Sequence, residues 1–314
     1  MRQGRRLVLA TALLLIAGLA YAQAPASYPD RPIRIVVPYP PGGGTDTLTR
    51  LVSRYMTESL KQPIVVENRP GAEARIGMDV VTKAPADGYT LLAIAAGPLN
   101  EQNMANFAPI ALFAAPAYLL VVNPAVRANS VQELIALAKV QPGKLAYGST
   151  GGGAASHLST ELFKAMTGTD MLHVPYKGSA QAINDLISGN LQLMFDNVPS
   201  IGPHARAGRV RALGVSSPKR AAQFPDVPAI AETVRGYETN SWGGIIGPAK
   251  LPREIVGRLN DEIRKALASP SVAERYRQLD TEPDGAGPEA FLALVRSETP
   301  RWAEVVKRSG AKVD

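Results

Sequence analysis

The chain contains no cysteine among its 314 residues. This absence excludes a disulfide framework, a thiol nucleophile, cysteine-ligated zinc, an iron–sulfur cluster and a lipid-modified N-terminal cysteine. Histidine is almost as scarce, since only His157, His173 and His204 occur. No two of them are four residues apart and no H-E-x-x-H motif is present, so a metal site would have to consist of carboxylates. We therefore predict neither a metal site nor a cofactor.

Long apolar runs are absent beyond the first 22 residues. Residues 1–22 have a basic start with three arginines, an uncharged apolar run over residues 7–20, and small residues at the end. This is the three-part pattern of a secretory signal peptide, and the run is shorter than the roughly 20 residues that cross a bilayer. We predict cleavage after Ala22, with cleavage after Ala24 and an uncleaved membrane anchor as the alternatives.

Neither sign of charge dominates the chain, which has 34 Lys and Arg against 27 Asp and Glu. Part of the formal net charge of +7 belongs to the export segment, and the remaining basic residues are scattered among acids. A nucleic-acid-binding protein would instead show a basic stripe. A mildly basic exported protein is suited to taking up anions. We expect no nucleic-acid partner. We also expect an exported monomer that is held in the periplasm by an outer membrane, or released, and that is not embedded in the membrane after signal cleavage.

Short β-branched runs alternate with amphipathic helical segments after residue 30, which is the pattern of an α/β fold with parallel sheets covered by helices. The length of the chain and its apolar fraction of 46% argue for two domains with sizeable cores. One predicted helix begins with the capping box Ser130-x-x-Glu133. Strands are predicted at residues 33–39, 64–67, 90–95, 110–114, 118–123, 144–148, 171–175, 191–196, 210–216 and 244–247.

Two segments are candidates for crossings between the domains. One predicted strand ends at Asn123-Pro124, and residues 235–244 follow a proline-rich loop. If both are crossings, residues 23–122 and 240–314 form a discontinuous first domain. Residues 123–239 then form the second domain.

Two glycine-rich turns, at residues 40–46 and 148–157, follow predicted strands and open predicted helices. Glycine lets the backbone approach a ligand, while the first N–H groups of a helix lack partners and its dipole favours an anion. In open α/β sheets, ligands bind beyond the carboxyl ends of the strands, where both turns should lie. We therefore expect the two turns to face each other across a cleft and to hold an anion.

Motifs of enzymes fit these turns poorly. Gly151-x-Gly153-x-x-Ser156 lacks the third glycine of a dinucleotide fingerprint, and neither turn has the lysine of a phosphate-binding loop. Residues 148–151 are one residue short of a G-x-S-x-G nucleophile elbow. We predict no catalytic residue and no enzyme. The alternative is a secreted hydrolase of a carboxylate ester or phosphate, with Asp46 and His157 as base and orienting residue.

Several polar residues near strand ends have two possible roles each. Asp46 is interpreted first as a helix cap and second as a ligand contact. For His157, packing and ligand contact are equally plausible. Further candidates for contacts in the cleft follow strands in either domain: Gly97, Pro98, Tyr176, Gly178 and Asp196.

A series of motifs occurs in a fixed order over most of the chain: PYPPGGGTD (38–46), VENRPGA (66–72), ADGYTL (86–91), KLAYGS (144–149), HL (157–158), HVPYKG (173–178) and FPDVP (224–228). In this order the motifs resemble those of the Bug-type solute-binding proteins of the tripartite tricarboxylate transporter family. The sequence departs from the usual pattern at Glu73-Ala74-Arg75, where small glycine-rich residues are expected, and at Ala95-Ala96-Gly97, which lacks hydroxyl groups.

The resemblance implies a type II periplasmic binding fold, with two α/β domains joined by two crossovers that close on a small carboxylate. The carboxylate would be a di- or tricarboxylate, an acidic amino acid or an aromatic acid, held by backbone N–H groups and waters. Delivery to a membrane permease or a sensor protein is implied as well. The predicted ligand-binding residues are Tyr39, Gly43, Gly44, Thr45, Asp46, Gly97, Pro98, Ser149, Thr150, Gly151, Gly152, Gly153, His157, Tyr176, Gly178 and Asp196.

Overall fold

The computed structural model describes residues 28–279 and 281–309. The predicted signal peptide, residues 1–22, lies outside the described residues. No helix within these ranges combines the length and the apolar character that a membrane span requires.

Ten strands and ten helices follow one another in the described part of the chain. In order they are β1 (Ile33–Val37), α1 (Gly44–Leu60), β2 (Ile64–Asn68), α2 (Arg75–Thr82), β3 (Thr90–Ala95), α3 (Glu101–Met104), β4 (Phe107–Ala114), β5 (Tyr118–Val122), α4 (Val131–Val140), β6 (Ala146–Ser149), α5 (Ala155–Thr167), β7 (Leu172–Pro175), α6 (Ser179–Ser188), β8 (Leu193–Asn197), α7 (Val198–Arg206), β9 (Arg211–Val215), β10 (Gly243–Pro248), α8 (Arg253–Ala268), α9 (Pro270–Gln278) and α10 (Pro288–Ser309). Short 3-10 turns lie at Ala72–Ala74 and Ile230–Glu232. Every predicted strand overlaps an observed one.

Two five-stranded sheets organise these elements. The first has the order β2-β1-β3-β10-β4 and the second has the order β7-β6-β8-β5-β9. We call the part built on the first sheet lobe 1 and the part built on the second sheet lobe 2. The C-terminal helix α10 packs against β4 of lobe 1 and against α5 of lobe 2. The predicted α/β class with two sheets is confirmed.

The sheets are mixed rather than parallel, which corrects the sequence analysis. In lobe 1, β10 runs antiparallel to β3 and β4, and in lobe 2, β5 runs antiparallel to β8 and β9. Both strands are the first that the chain forms after crossing from the other lobe. A strand that enters from the opposite lobe arrives in the reverse direction. The first strand after each crossing is therefore antiparallel to both of its neighbours.

The first crossing also lies earlier than predicted. Because β5 pairs with strands of lobe 2, the chain changes lobes between β4 and β5, at residues 115–117, and not at residue 123. The proline signal at Asn123-Pro124 marks the end of β5 instead. The second crossing runs between β9 and β10, and the two crossings touch where Ser241 N donates to Pro116 O at 3.2 Å.

Helix boundaries follow local signals in the sequence. Ser130 caps α4 by accepting from Glu133 N at 3.1 Å, as the capping box predicts. Gly168 ends α5 with φ 62°, a left-handed conformation that suits glycine at a helix end. In α1, Leu48, Val52 and Met56 recur every four residues and are all buried. That stripe packs α1 onto the sheet of lobe 1, which fixes the direction in which the helix N-terminus points.

Candidate functional site

The N-termini of four helices converge on a small space between the lobes, which we call the inner cavity. Lobe 1 contributes the start of α1, and lobe 2 contributes the starts of α5, α6 and α7. The lining residues are Tyr39, Pro40, Gly43, Gly44, Thr45, Asp46, Ala95, Ala96, Tyr118, Thr150, Ala154, Gly178, Ser179, Asp196, Asn197 and Ser241. Eight of the predicted ligand-binding residues lie in this set.

Three of these four helix N-termini have no side-chain cap. The N-cap residues of α1, α5 and α6 are Gly43, Ala154 and Gly178, and none of them accepts a hydrogen bond from the helix with its side chain. Only α7 is capped, by Asn197, whose Oδ1 accepts from Ser200 N at 3.2 Å. Uncapped N–H groups at the positive end of a helix dipole form a site for an anion.

No lysine, arginine or histidine is among the lining residues of the inner cavity in the described part of the chain. Attraction of an anion there must therefore come from backbone dipoles and from neutral donors. The hydroxyl groups of Thr45, Tyr118, Ser179 and Ser241 are neutral donors in the cavity lining.

Asp46 holds the first glycine-rich turn together. Its Oδ2 accepts from Gly42 N at 3.0 Å, and its Oδ1 accepts from Arg50 Nε at 3.0 Å and from Asn68 Nδ2 at 2.9 Å. Burial raises the pKa of Asp46, but these three donors outweigh it and leave the pKa below its usual value. The carboxylate thus stays charged and engaged within lobe 1, which is the first of the two roles considered for it.

The second glycine-rich turn is also held from within its own lobe. Ser149 is fully buried and accepts from Gly151 N at 3.2 Å, while Gly153 N donates to His157 Nδ1 at 3.0 Å. Thr150 N donates to Ser156 Oγ at 3.1 Å. The N–H groups of Thr150, Gly151 and Gly153, which were expected to hold the carboxylate, are therefore already bonded in this conformation. What the turn offers the inner cavity is Thr150 and the start of α5.

His157 and Ser149 lie beneath this turn and line neither cavity of the cleft. The His157 ring stacks on His173 with centroids 3.9 Å apart and planes 6° apart. Burial lowers the pKa of both imidazoles, that of His173 to about 3, so both rings are neutral near pH 7. Among the described residues no hydrogen bond joins Asp46 to His157, because each is bonded within its own lobe. That arrangement offers no base and orienting pair for hydrolysis.

The predicted tyrosines have different positions. Tyr39 lies between the lobes, where its Oη accepts from Ala95 N at 3.3 Å. Tyr176 instead donates from Oη to Asp185 Oδ2 at 2.5 Å on the lobe 2 surface and lines neither cavity. Tyr118, which was not predicted, reaches the inner cavity because the chain crosses between the lobes just before it.

A second, larger space, the outer cavity, adjoins the inner one through Tyr39, Thr150 and Ala154. The predicted residues Gly97, Pro98, Gly151, Gly152 and Gly153 are part of its lining. The remaining lining residues are Glu73, Arg75, Met78, Leu99, Asn100, Gln102, Asn103, Leu158, Thr299, Trp302, Ala303 and Val306. The four from α10 are far from both turns in sequence, and no local motif marks them. Glu73 and Arg75 were marked only as departures from the family pattern.

The two lobes touch around the cavities. Gly44 N donates across the cleft to Ser200 Oγ at 2.8 Å. A Cβ built on Gly178 would lie 2.7 Å from Pro40 Cδ, and one on Gly97 would lie 2.7 Å from Ala155 N. Contacts of this kind require the cleft to be closed, and they leave no room for side chains at these glycines.

Comparisons with known proteins connect this two-lobed structure with one protein family. A family model described as the tripartite tricarboxylate transporter family receptor matches residues 48–311. Protein BugT of Bordetella pertussis is 36% identical, with 100% of each chain covered. Among solved structures, R. palustris Rpa4515 with adipate is 38% identical, with TM-score 0.87 over 91% of this chain and 100% of that one. MatC of Rhodopseudomonas palustris with bound malate is 29% identical, with TM-score 0.83 over 89% and 100%.

Proposed function

The chain belongs to the tripartite tricarboxylate transporter receptor family, and from that membership we propose that it captures one small carboxylate between its two lobes. It is a solute-binding protein of this family. We place its action in the periplasm, after removal of residues 1–22, and we propose that it delivers the carboxylate to a membrane permease or reports it to a sensor.

The convergence of uncapped helix N-termini is the observation that carries this proposal. The starts of α1 from lobe 1 and of α5 and α6 from lobe 2 meet at one small cavity. Each dipole contributes about 0.3–1 kcal/mol to the binding of a surface anion and more where the site is partly buried. An anion that contacts both lobes gains all three contributions only when the cleft is closed, so its binding favours the closed state.

Two relatives indicate which anion fits. The structures of Rpa4515 and MatC contain adipate and malate, which are both dicarboxylates. In this chain the inner cavity is just large enough for one carboxylate group, and the outer cavity continues from it. We propose that one carboxylate enters the inner cavity while the rest of the molecule extends towards Gly97, Gly152 and α10.

Thermal unfolding of the chain from Gln23 onward tests the proposal. The ligand panel contains adipate, malate, citrate, glutamate and benzoate, and glucose, arginine and adenosine monophosphate serve as controls. A ligand at about 100 times its Kd stabilises the folded state by roughly 2.7 kcal/mol, which raises the Tm by a few degrees. We expect a shift with one or more carboxylates and none with the controls. A shift with a control but with no carboxylate would refute the anion site.

The same samples distinguish binding from turnover. We expect the carboxylate recovered after incubation and denaturation of the protein to be chemically unchanged. A product that accumulates in proportion to time and protein concentration would instead indicate an enzyme.

A further inference from the structure

Asp196 is a fully buried carboxyl group in the lining of the inner cavity. It stands near the end of β8, where the strand passes into α7. Its Oδ1 accepts from Ser179 Oγ at 2.9 Å, from Asn197 N at 2.8 Å and from Asn197 Nδ2 at 3.3 Å. Its Oδ2 is buried as well but has no hydrogen-bond partner among the described residues.

A buried carboxylate oxygen without a partner is costly. Leaving a buried acceptor unsatisfied costs about 1–3 kcal/mol, and more when the group is charged. No basic side chain lines the inner cavity in the described ranges to offset the charge. Burial raises the pKa of Asp196 to about 7, because it outweighs the hydrogen bonds from Ser179 and Asn197, which lower the pKa. The cavity thus holds a carboxyl group that is poised between its neutral and its charged form.

We propose that Asp196 binds the ligand as a neutral acid, donating an O–H···O hydrogen bond from Oδ2 to the ligand carboxylate, so that one proton enters with each anion. The inference rests on the carboxylate-binding function proposed above and assigns its proton stoichiometry. When the ligand binds, the charged Asp196 takes one proton from solvent. That proton stays on Oδ2, and the ligand remains a carboxylate.

Electrostatics favour this state over the alternatives. Two unpaired carboxylates in one desolvated cavity repel each other, and such pairs share a single proton. A hydrogen bond from a neutral acid to a carboxylate is short, at 2.5–2.7 Å, and about twice as strong as one between neutral groups. A ligand ammonium group is the other partner that would satisfy Oδ2, and the experiment below distinguishes it.

Titratable groups from both lobes surround Asp196. From lobe 1, Tyr39 and Asp46 line the cavity, and Arg50 pairs with Asp46 from outside the lining. Burial raises the pKa of Tyr39, while the hydrogen bonds to Asp46 leave its pKa below the usual value. Burial raises the pKa of Tyr118 on β5 and of Tyr147 on β6, and it lowers the pKa of His157 on α5 and His204 on α7. The remaining charged groups on elements packed against β8 are Glu161, Lys164, Asp185 and Arg206.

Isothermal titration calorimetry with adipate and with malate tests the proposal on the mature chain. Binding is measured at pH 6.5 and at pH 8.5, in buffers of different ionisation enthalpy, where both carboxylates of each probe are already ionised. We expect uptake of about one proton per molecule bound at pH 8.5. Because the neutral fraction of Asp196 falls between these pH values, the affinity should fall by about 25-fold.

Two variants identify the group. Asp196→Asn keeps a donor at this position but has no proton to take up, so its affinity should be independent of pH. Glu73→Gln removes the carboxylate that lines the outer cavity, and we expect it to retain the pH dependence.

Each outcome has a distinct meaning. Binding of adipate or malate without proton uptake overturns this inference and leaves the proposed function intact. Binding of glutamate but not of adipate, with loss of binding in Asp196→Asn, would assign Oδ2 to an ammonium group and also overturns it. If no carboxylate binds at either pH, the proposed function fails and the inference fails with it.

Discussion

Replacing Gly178 with alanine should weaken ligand binding without unfolding the protein. Gly178 precedes α6 with φ 166°, an extended conformation that alanine also adopts. The three atoms nearest to a Cβ at this position all belong to Pro40, in the opposite lobe. The added methyl group therefore contacts nothing closely within lobe 2 and acts only on the closed cleft.

The magnitude follows from two distances across the cleft. The Cβ would lie 2.7 Å from Pro40 Cδ, whereas carbon atoms pack at about 3.5 Å or more, so the lobes must separate by about 0.8 Å there. The Pro40 ring cannot rotate away. A similar separation would stretch the bond of 2.8 Å between Gly44 N and Ser200 Oγ beyond hydrogen-bond range. Loss of that bond and of packing costs the closed state about 1–2 kcal/mol, which is roughly a 5- to 30-fold loss of affinity.

Calorimetry with the carboxylate that stabilises the wild type most provides the affinity, and urea unfolding without ligand provides the stability. Gly257→Ala is the matched control, because Gly257 is exposed on α8 with nothing within 4 Å of a Cβ there, and it should leave the affinity unchanged. Pro40→Ala removes Cγ and Cδ and should restore much of the affinity when combined with Gly178→Ala. A Gly178→Ala variant that binds within twofold of wild type would refute the argument that closure creates the site.

Three further predictions concern neighbouring contacts. Gly152→Asp should abolish carboxylate binding and leave the far-ultraviolet circular dichroism unchanged, because the aspartate adds a second negative charge beside Glu73 in the lining of the outer cavity. Asp46→Asn should lower the free energy of unfolding by about 1–2 kcal/mol at neutral pH. Since the pKa of Asp46 in the folded state lies below its ordinary value, that difference should vanish in urea titrations as the pH falls through the folded-state pKa. Trp242→Phe should cost about 1–3 kcal/mol in the same assay, because Glu298 Oε2 loses its donor at 2.7 Å.

The strands could be predicted because their signals are local. β-branched runs such as Ile33–Val37 and Tyr118–Val122 are buried along their whole length or nearly so. Strand direction could not be predicted in the same way, because it depends on which lobe the chain has just left. The sequence 115–117 that carries the first crossing is three residues long and has no glycine. Asn123-Pro124 has the stronger local breaker signal, and it marked the wrong position.

The candidate site also has features that local sequence signals predict and features that they do not. The inner cavity could be anticipated because glycine-rich turns after strands place helix N-termini at the carboxyl edge of a sheet. The hydrogen bonds that occupy Thr150 N and Gly153 N could not be predicted from the sequence. Ser156 and His157 contact the turn only once α5 has formed. The part of α10 that lines the outer cavity could not be predicted either, because the position of α10 depends on its packing against α5.

The conformation of the segment that departs from the family pattern, at residues 72–74, is not explained by its local sequence. Ala72, Glu73 and Ala74 have φ values of 45°, 54° and 73°, in the left-handed region that favours glycine. Each such residue costs about 1–2 kcal/mol, and neither the alanines nor the glutamate has a local reason to adopt this conformation. The strained turn brings the Glu73 side chain next to Gly152 of lobe 2, where it also pairs with Arg75 at 3.4 Å. Strain persists where the surrounding structure over-determines it, and here that structure is the opposite wall of a ligand cleft. The charge that lines the outer cavity is therefore set by a backbone conformation that glycine adopts without steric cost, and this chain adopts it with a glutamate in the turn.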